Sequence, residues 1–428
     1  MKKEIEMVVF FLSIVMGMVG CKQLNTTDTL VSIDVNVNYP EKNLILQDFM
    51  DVEYIPLEST DKFVTQGDIM AIGRKLILAK NYINDGNIYV FDRRTGKGLR
   101  IINRLGQGNE EYAFINGIVL DEKNEEMFVN CTPMKKILVY DLFGNFKRSF
   151  KHTEGSEYLE VFNYNKDNLL RYDMSIYYKD GEKKGTEFYH AVISKQDGHV
   201  VQGISIPFSI VKTPFVRNGN AMVATSIRSI TPCKNNWLLT ETSSDTVYCY
   251  SNDNKMEPFL VKKSSGDPDV FLTVGVVCDQ YYFIQTVKKI FNFEKGRGFP
   301  KNDLMYDKKE KAVFKTSVLN ADYINRQKVD MTSHVGNDEI ATFQNLEAYE
   351  LIEAYKKNEL KGELKEIATK LNEESNPVVM LVKYKSKPPV KYVLQNRKIS
   401  PDSVRFVQIR LRVGTNNIKL YQFGTDLF

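Results

Sequence analysis

Histidine occurs only four times in 428 residues, tryptophan once and cysteine five times. The histidines, His152, His190, His199 and His334, stand outside ligand spacing of one another and of any cysteine, and no Cys-x-x-Cys pair is present. This argues against a zinc centre. Only His190 and His199 are placed so that they could face each other across a hairpin. Neither the Gly-x-Ser-x-Gly elbow of serine hydrolases nor the His-Glu-x-x-His of zinc proteases is found. Charge of one sign is missing too: 58 basic residues meet 54 acidic ones for a net charge of +4, so the chain lacks the basic footprint of a nucleic-acid binder. The expectation is no metal, no cofactor and no nucleic acid. An apolar run of the ~20 residues needed to span a bilayer is also absent.

What the chain does have begins at its N-terminus. Lys2 and Lys3 precede an apolar run from Met7 to Val19, about 13 residues, the length of a secretory h-region. Met18-Val19-Gly20-Cys21 then reads as a lipobox, which makes 1–21 a lipoprotein signal peptide and Cys21 the lipidated residue. Two or more acyl chains, at ~0.8 kcal/mol per buried methylene, anchor a protein stably. The mature chain should therefore fold in water while held at a membrane through its N-terminal lipid, with 22–45 as tether and N-terminal segment. Cys131, Cys233, Cys249 and Cys278 remain. In an oxidising compartment Cys233 with Cys249 is the first pairing to consider, and buried free thiols are the alternative.

A strand-and-turn signature recurs along the chain. Ile88-Tyr89-Val90-Phe91-Asp92 runs to Gly96, and Ile137-Leu138-Val139-Tyr140-Asp141 runs to Gly144; weaker echoes end at Ser194, Tyr250 and Asp307. A β-rich unit returning every 50 to 57 residues or so indicates a propeller. Each repeat holds four short apolar runs separated by turn residues, starting from Ile69 in the first and Gly117 in the second. Blades three to five occupy about 157–206, 222–262 and 270–317. The sixth unit is interrupted. After Phe343 the apolar period changes to about 3.6, through Leu346, Tyr349, Ile352, Leu360, Leu364, Ile367 and Leu371. Two short amphipathic helices at about 344–373 follow from this, ended by Asn376-Pro377. The run Val52 to Leu57 is expected to complete the last blade and close the ring. The fold expected is thus an all-β, six-bladed β-propeller over 46–385 with a helical insertion in its last blade. The extension 386–428 reads as a β-hairpin.

The loop Arg104-Leu105-Gly106-Gln107-Gly108-Asn109-Glu110-Glu111-Tyr112 joins blade one to blade two. Its glycines permit tight turns that could bring Arg104, Gln107, Glu111 and Tyr112 onto a ligand, with arginine as a fork for carboxylate or phosphate. The alternative is structural, with Arg104 paired to Glu111 and the loop stapling neighbouring blades. The 23 tyrosines and 25 phenylalanines suit sugar stacking at a channel mouth, and equally suit strand packing.

The same loop, the Glu53-Tyr54-Ile55-Pro56-Leu57-Glu58 core, Asp245-Thr246-Val247-Tyr248 and Asn376-Pro377-Val378-Val379 resemble the six-bladed β-propeller lipoproteins of Bacteroidales, over about 50–385. Asn109 stands where that loop usually has proline. The resemblance implies a secreted, lipid-anchored propeller related in shape to NHL-type propellers. It sits in the cell envelope on the outer membrane, facing the periplasm because acidic residues are missing after Cys21, with the cell surface as the other site. It further implies a non-catalytic module that binds a carbohydrate or an envelope protein. A glycan-active hydrolase or lyase and an envelope assembly module are the competing expectations, since fold analogy alone does not decide among them.

Overall fold

The computed structural model describes residues 30–179, 188–263, 266–334 and 336–385, and beyond them the strand residues 406–409, 412–413, 416–417 and 421–424. The signal peptide, Cys21 and the first part of the tether lie outside the described residues. The chain divides into two units, Met1–Tyr384 and Lys385–Phe428. In the second, Phe406–Ile409 pairs antiparallel with Tyr421–Gly424, and Arg412–Val413 with Asn416–Asn417.

The first unit is a β-propeller. Blade one is Asp68–Ile72, Leu76–Lys80, Asn87–Asp92 and Gly98–Asn103, hydrogen-bonded in that order. Four-stranded meanders of the same kind begin at Gly117, Tyr158, Ile230 and Val270. Their first strands lie side by side from blade one to three and again from four to five. The closing blade joins Ile340–Leu346 and Val378–Tyr384 to the early strand Met50–Pro56.

Seven sheets of three or more strands occur among the described residues, so the structure has seven blades rather than six. The extra, small blade consists of Leu44–Ile45, Val318–Leu319 and Lys328–Val329. Strands of two residues carry no readable period, so the repeat pattern passed over it. Blade four also gains Val31–Asp34 as a parallel fifth strand on Met256–Lys263, in a stretch the sequence assigned to the N-terminal segment.

The signature strands are apolar on both faces because both faces are covered. Ile88 and Val90 pack with Ile118 and Val129 of blade two, whereas Tyr89 and Phe91 pack with Val379 and Leu381 of the closing blade. Each such side chain contributes roughly 1.5–3 kcal/mol when fully buried. The glycine that ends the signature has its own cause. Gly96 is left-handed, φ +70°, and a Cβ there would stand 2.0 Å from the Pro56 carbonyl oxygen. Gly198 repeats the arrangement against the Phe150 ring. These turns are seats for the outer strand of the preceding blade.

Because strands alternate in direction, the turns after first and third strands lie at one end of the propeller, and all other connections lie at the opposite end. At the first end the turns are short, such as 73–75, 93–97, 122–125 and 234–235. The other end carries 104–116, 174–179 with 188–189, 205–229 and 289–300, and the helical insertion 347–377. Asn337 Nδ2 donating to Ile72 O and Asn345 Nδ2 donating to Gly67 O place the closing blade in the same frame.

Three helices are described: α1 Leu46–Phe49, α2 Ala348–Lys356 and α3 Gly362–Ala368. Ala348, Leu351, Leu364 and Ala368 bury against Met50, Tyr54 and Met380, which accounts for the 3.6 period. Asn376 ends the insertion as a clamp. Its Nδ2 donates to Glu58 O at 2.7 Å and Phe63 O at 2.8 Å, and its Oδ1 accepts from Thr65 N at 2.9 Å.

Cys131, Cys233, Cys249 and Cys278 are all free thiols. The Cys233–Cys249 pairing is corrected by register: strand Asn236–Leu239 runs between the two, with Cys233 opposite Asn236 and Cys249 opposite Leu238. Two strand spacings separate them, about 9.5 Å, more than a disulfide can bridge.

Candidate functional site

The end bearing the insertions holds a cleft of about 390 Å³ between blade one, the small blade and the closing blade. Blade one contributes Asp68, the first residue of its inner strand, and Tyr82 from the following loop. Asp330, Ser333 and His334 come from the segment after the small blade, Phe343 and Asn345 from the closing blade, and Glu347 and Glu350 from the start of α2.

Several of these groups are fully engaged. Lys80 Nζ lies 2.8 Å from Asp68. Asp330 accepts from Thr332 N at 2.7 Å, Thr332 Oγ1 at 2.9 Å, Ser333 N at 3.0 Å and the Ser333 hydroxyl. Burial pushes its carboxyl upward, but the bonds from Ser333 and Thr332 outweigh this and hold it below its ordinary value. The His334 ring lies tilted beside that of Phe343, 4.7 Å between centroids; burial and then the Arg228 charge keep its imidazole below the usual range.

Arg228 stands behind this wall. Its Nη2 donates to Ser333 O, while its Nε is buried without a partner. Glu160, on the inner strand of blade three, accepts from Ser229 N at 3.1 Å and Ile230 N at 2.9 Å. Burial raises its carboxyl against the opposing Arg228 charge.

Other groups are less engaged; Glu350 accepts only from the neighbouring Tyr349 hydroxyl, at 3.1 Å. Asn345 Oδ1 is buried and receives no hydrogen bond. Glu347 and Glu350, one helical turn apart, have no cation within ion-pair distance among the described residues. Glu347 is raised by burial and then by the Glu350 charge. Tyr82 at the mouth is 62% exposed.

A second polar cluster joins blades three and four. Glu241, 2% exposed, accepts from Tyr172 O–H at 3.3 Å and Thr242 O–H at 3.2 Å. Burial pushes it up to about 7. The Tyr172 ring lies 4.8 Å from that of His190, whose Nε2 meets Ser229 O at 3.2 Å and whose pKa falls to about 3 through burial. His190 sits opposite Ile204, not His199, so the two histidines do not face each other.

The 104–112 loop lies at the same end, and none of its four candidate residues lines the cleft. Arg104 does not pair with Glu111: its Nε donates to Gly144 O of blade two at 3.0 Å. Tyr112 is wholly buried, donating to Gly86 O at 2.7 Å and accepting from Arg104 N at 3.0 Å. Glu111 folds back to accept from Gly108 N at 2.8 Å. Gln107 is exposed. The loop thus couples blades one and two, and of its four candidate residues Arg104 and Gln107 are exposed.

The cleft residues were not among those singled out from the sequence. They come from three blades and a helix separated by hundreds of positions, and a lone acid such as Glu347 at a strand-to-helix junction carries no local pattern. Glu241, two positions after the apolar run Trp237-Leu238-Leu239, was the most readable of those missed.

Residues 30–383 match the family described as Domain of unknown function (DUF4934). The chain belongs to the DUF4934 family. No curated protein matches this DUF4934 chain. Among solved structures it is similar to a Bacteroides fragilis NCTC 9343 protein (BF0058) carrying an exported-protein description, at 14% identity and TM-score 0.56, over 84% of this chain and 100% of the other. A member of the duf4221 family from Bacteroides vulgatus gives 11% identity and TM-score 0.44 over 79% and 97% of the two chains. The β-propeller domain of Myceliophthora Cps50 (Swd1) gives 8% and 0.34 over 61% and 88%. At these identities the first likeness supports the fold, and the other two carry no argument.

Proposed function

We propose that this DUF4934 chain is an exported propeller, anchored in the cell envelope through a lipid on Cys21, that binds a ligand in the cleft without transforming it. The observation that carries this reading is convergence. Side chains from three blades and a helix meet in one space of about 390 Å³, within the ordinary range for ligand sites, and Asn345 Oδ1 there lacks a donor. Export is supported by the lipobox and by the description of the Bacteroides fragilis neighbour. A carbohydrate is the ligand class that the family resemblance suggests, with an envelope protein as the other partner. Arg104 and Gln107, exposed at the same end, are the two of the four candidate loop residues able to touch a large ligand.

Binding is favoured over hydrolysis by the state of the carboxylates. A glycosidase needs two of them free across the bond to be broken. Here Asp68 is tied to Lys80 and Asp330 to Thr332 and Ser333, while Glu347 and Glu350 share one wall. Thermal-shift screening of the full chain in detergent micelles against oligosaccharides, sugar acids and envelope peptides tests the reading. A saturable rise in Tm supports it by mass action; a flat response across the panel removes the small-ligand site. Metabolic labelling with a fatty-acid probe should mark the parent chain and leave Cys21→Ser unmarked.

A further inference from the structure

Resting on the binding reading above, we propose that the ligand presents a protonated amine to the cleft wall formed by Asn345, Glu347 and Glu350. The argument is a tally of donors and acceptors. On this wall, the groups left without a cation or a buried donor are acceptors: the buried Asn345 Oδ1, the Glu347 carboxylate and Glu350, whose Oε1 meets only the Tyr349 hydroxyl beside it at 3.1 Å. The one lysine lining the cleft, Lys328, is drawn to Asp303 at 2.5 Å, outside the lining residues. Asp68 and Asp330 already have their donors, so they do not compete for an incoming cation.

A neutral ligand would cover two neighbouring carboxylates and offer no charge in return, which is costly. An ammonium brings three donors and a positive charge to three acceptors. Asn345 supports the same direction independently of the acids. It lies on the closing blade, its Nδ2 is fixed by Gly67 O, and its carbonyl oxygen is therefore the atom left over. The exposed Tyr82 at the mouth adds an aromatic face on which a cation is favoured.

Titration calorimetry of the full chain with three probes tests this: the deacetylated glucosamine dimer, its N-acetylated counterpart, and Nα-acetyl-lysine methylamide. At least one ammonium probe should bind while the N-acetylated sugar does not, and raising salt should weaken the binding. Glu347→Gln with Glu350→Gln should weaken it by about tenfold or more, at unchanged thermal stability. Asn345→Leu should weaken it too. Binding of the glucosamine dimer alone identifies an amino sugar as the source of the amine; binding of the lysine derivative alone identifies a lysyl side chain. Equal or tighter binding of the N-acetylated sugar, unaffected by the double substitution, overturns the amine and leaves the cleft as a binding site. Silence from both ammonium probes overturns the amine as well, and only silence across the wider panel removes the binding reading itself.

Discussion

The two ends of this propeller are built from the same strands and treat their polar groups in opposite ways. At the end with short turns, charged groups are spent on neighbouring blades. Glu122 of blade two accepts from three successive backbone N–H groups of blade one, Arg74, Lys75 and Leu76. Arg93 forks onto Glu339 of the closing blade, and Lys195 of blade three reaches Asp121 of blade two. At the end with insertions, Glu347 and Asn345 Oδ1 are left without protein partners among the described residues, and Glu350 meets no cation, only the neighbouring Tyr349 hydroxyl. Polar groups committed to neighbours hold a ring together; those left uncommitted are where a ligand can be gripped.

Substitutions at the two ends should therefore separate stability from binding. The largest loss is expected at Gly96. Alanine there must adopt a left-handed backbone and meets the Pro56 carbonyl oxygen, and about 3–4 kcal/mol should be lost in urea unfolding. Gly219 at the opposite end, also left-handed but with open space around it, should cost only about 1 kcal/mol on the same change. Equal losses would break the contrast.

Next comes Glu241. Its carboxyl sits at about 7 in the fold against 4.5 when exposed. Between those values the folded chain holds a proton that the unfolded chain has released, so this group's contribution falls as pH rises from 4.5 to 7 and is constant above. Glu241→Gln removes that dependence. Its stability relative to the parent should improve by about 3 kcal/mol between pH 4.5 and 7.5. His190 acts in the opposite sense: held near 3 by burial, it contributes stability above pH 6.5 that is lost as pH falls. A difference between variant and parent that stays flat with pH would place Glu241 in an aqueous setting.

Tyr112→Phe is the third test. It leaves Gly86 O and Arg104 N without their partner, a loss of about 1–3 kcal/mol, with ligand binding in the cleft unchanged. A binding defect at full stability would return the 104–112 loop to the ligand site. The smallest effect on stability is expected from Glu347→Gln, within about 0.5 kcal/mol, since no ion pair is broken.

Much of the fold was legible because its cause repeats. The run Ile88 to Phe91 is apolar throughout since blades cover both of its faces, and Gly96 follows at a fixed offset since the next outer strand must fit there. The shift to helical period after Phe343 was legible for the same reason, a buried stripe. The small blade was not, because Leu44–Ile45 and Val318–Leu319 are too short to show a period. The site was hidden more deeply. In the 104–112 motif, Tyr112 and Arg104 answer to blade coupling, and a conspicuous motif drew attention to a joint. The cleft acids became visible only when strands far apart in sequence were brought side by side.

The early segment from Val31 to Pro56 is woven into three separate sheets, with Val31 opposite Leu260, Leu44 opposite Val318 and Met50 opposite Tyr384. Early strands are thus seated against partners more than two hundred positions later. A nascent chain can complete blades one to three as each emerges, yet the ring stays open until Tyr384 has arrived, and pairings this distant are slow to form. Closure thus becomes a test of completeness: a molecule cut short anywhere before its closing strands keeps Met50–Pro56 as a loose edge.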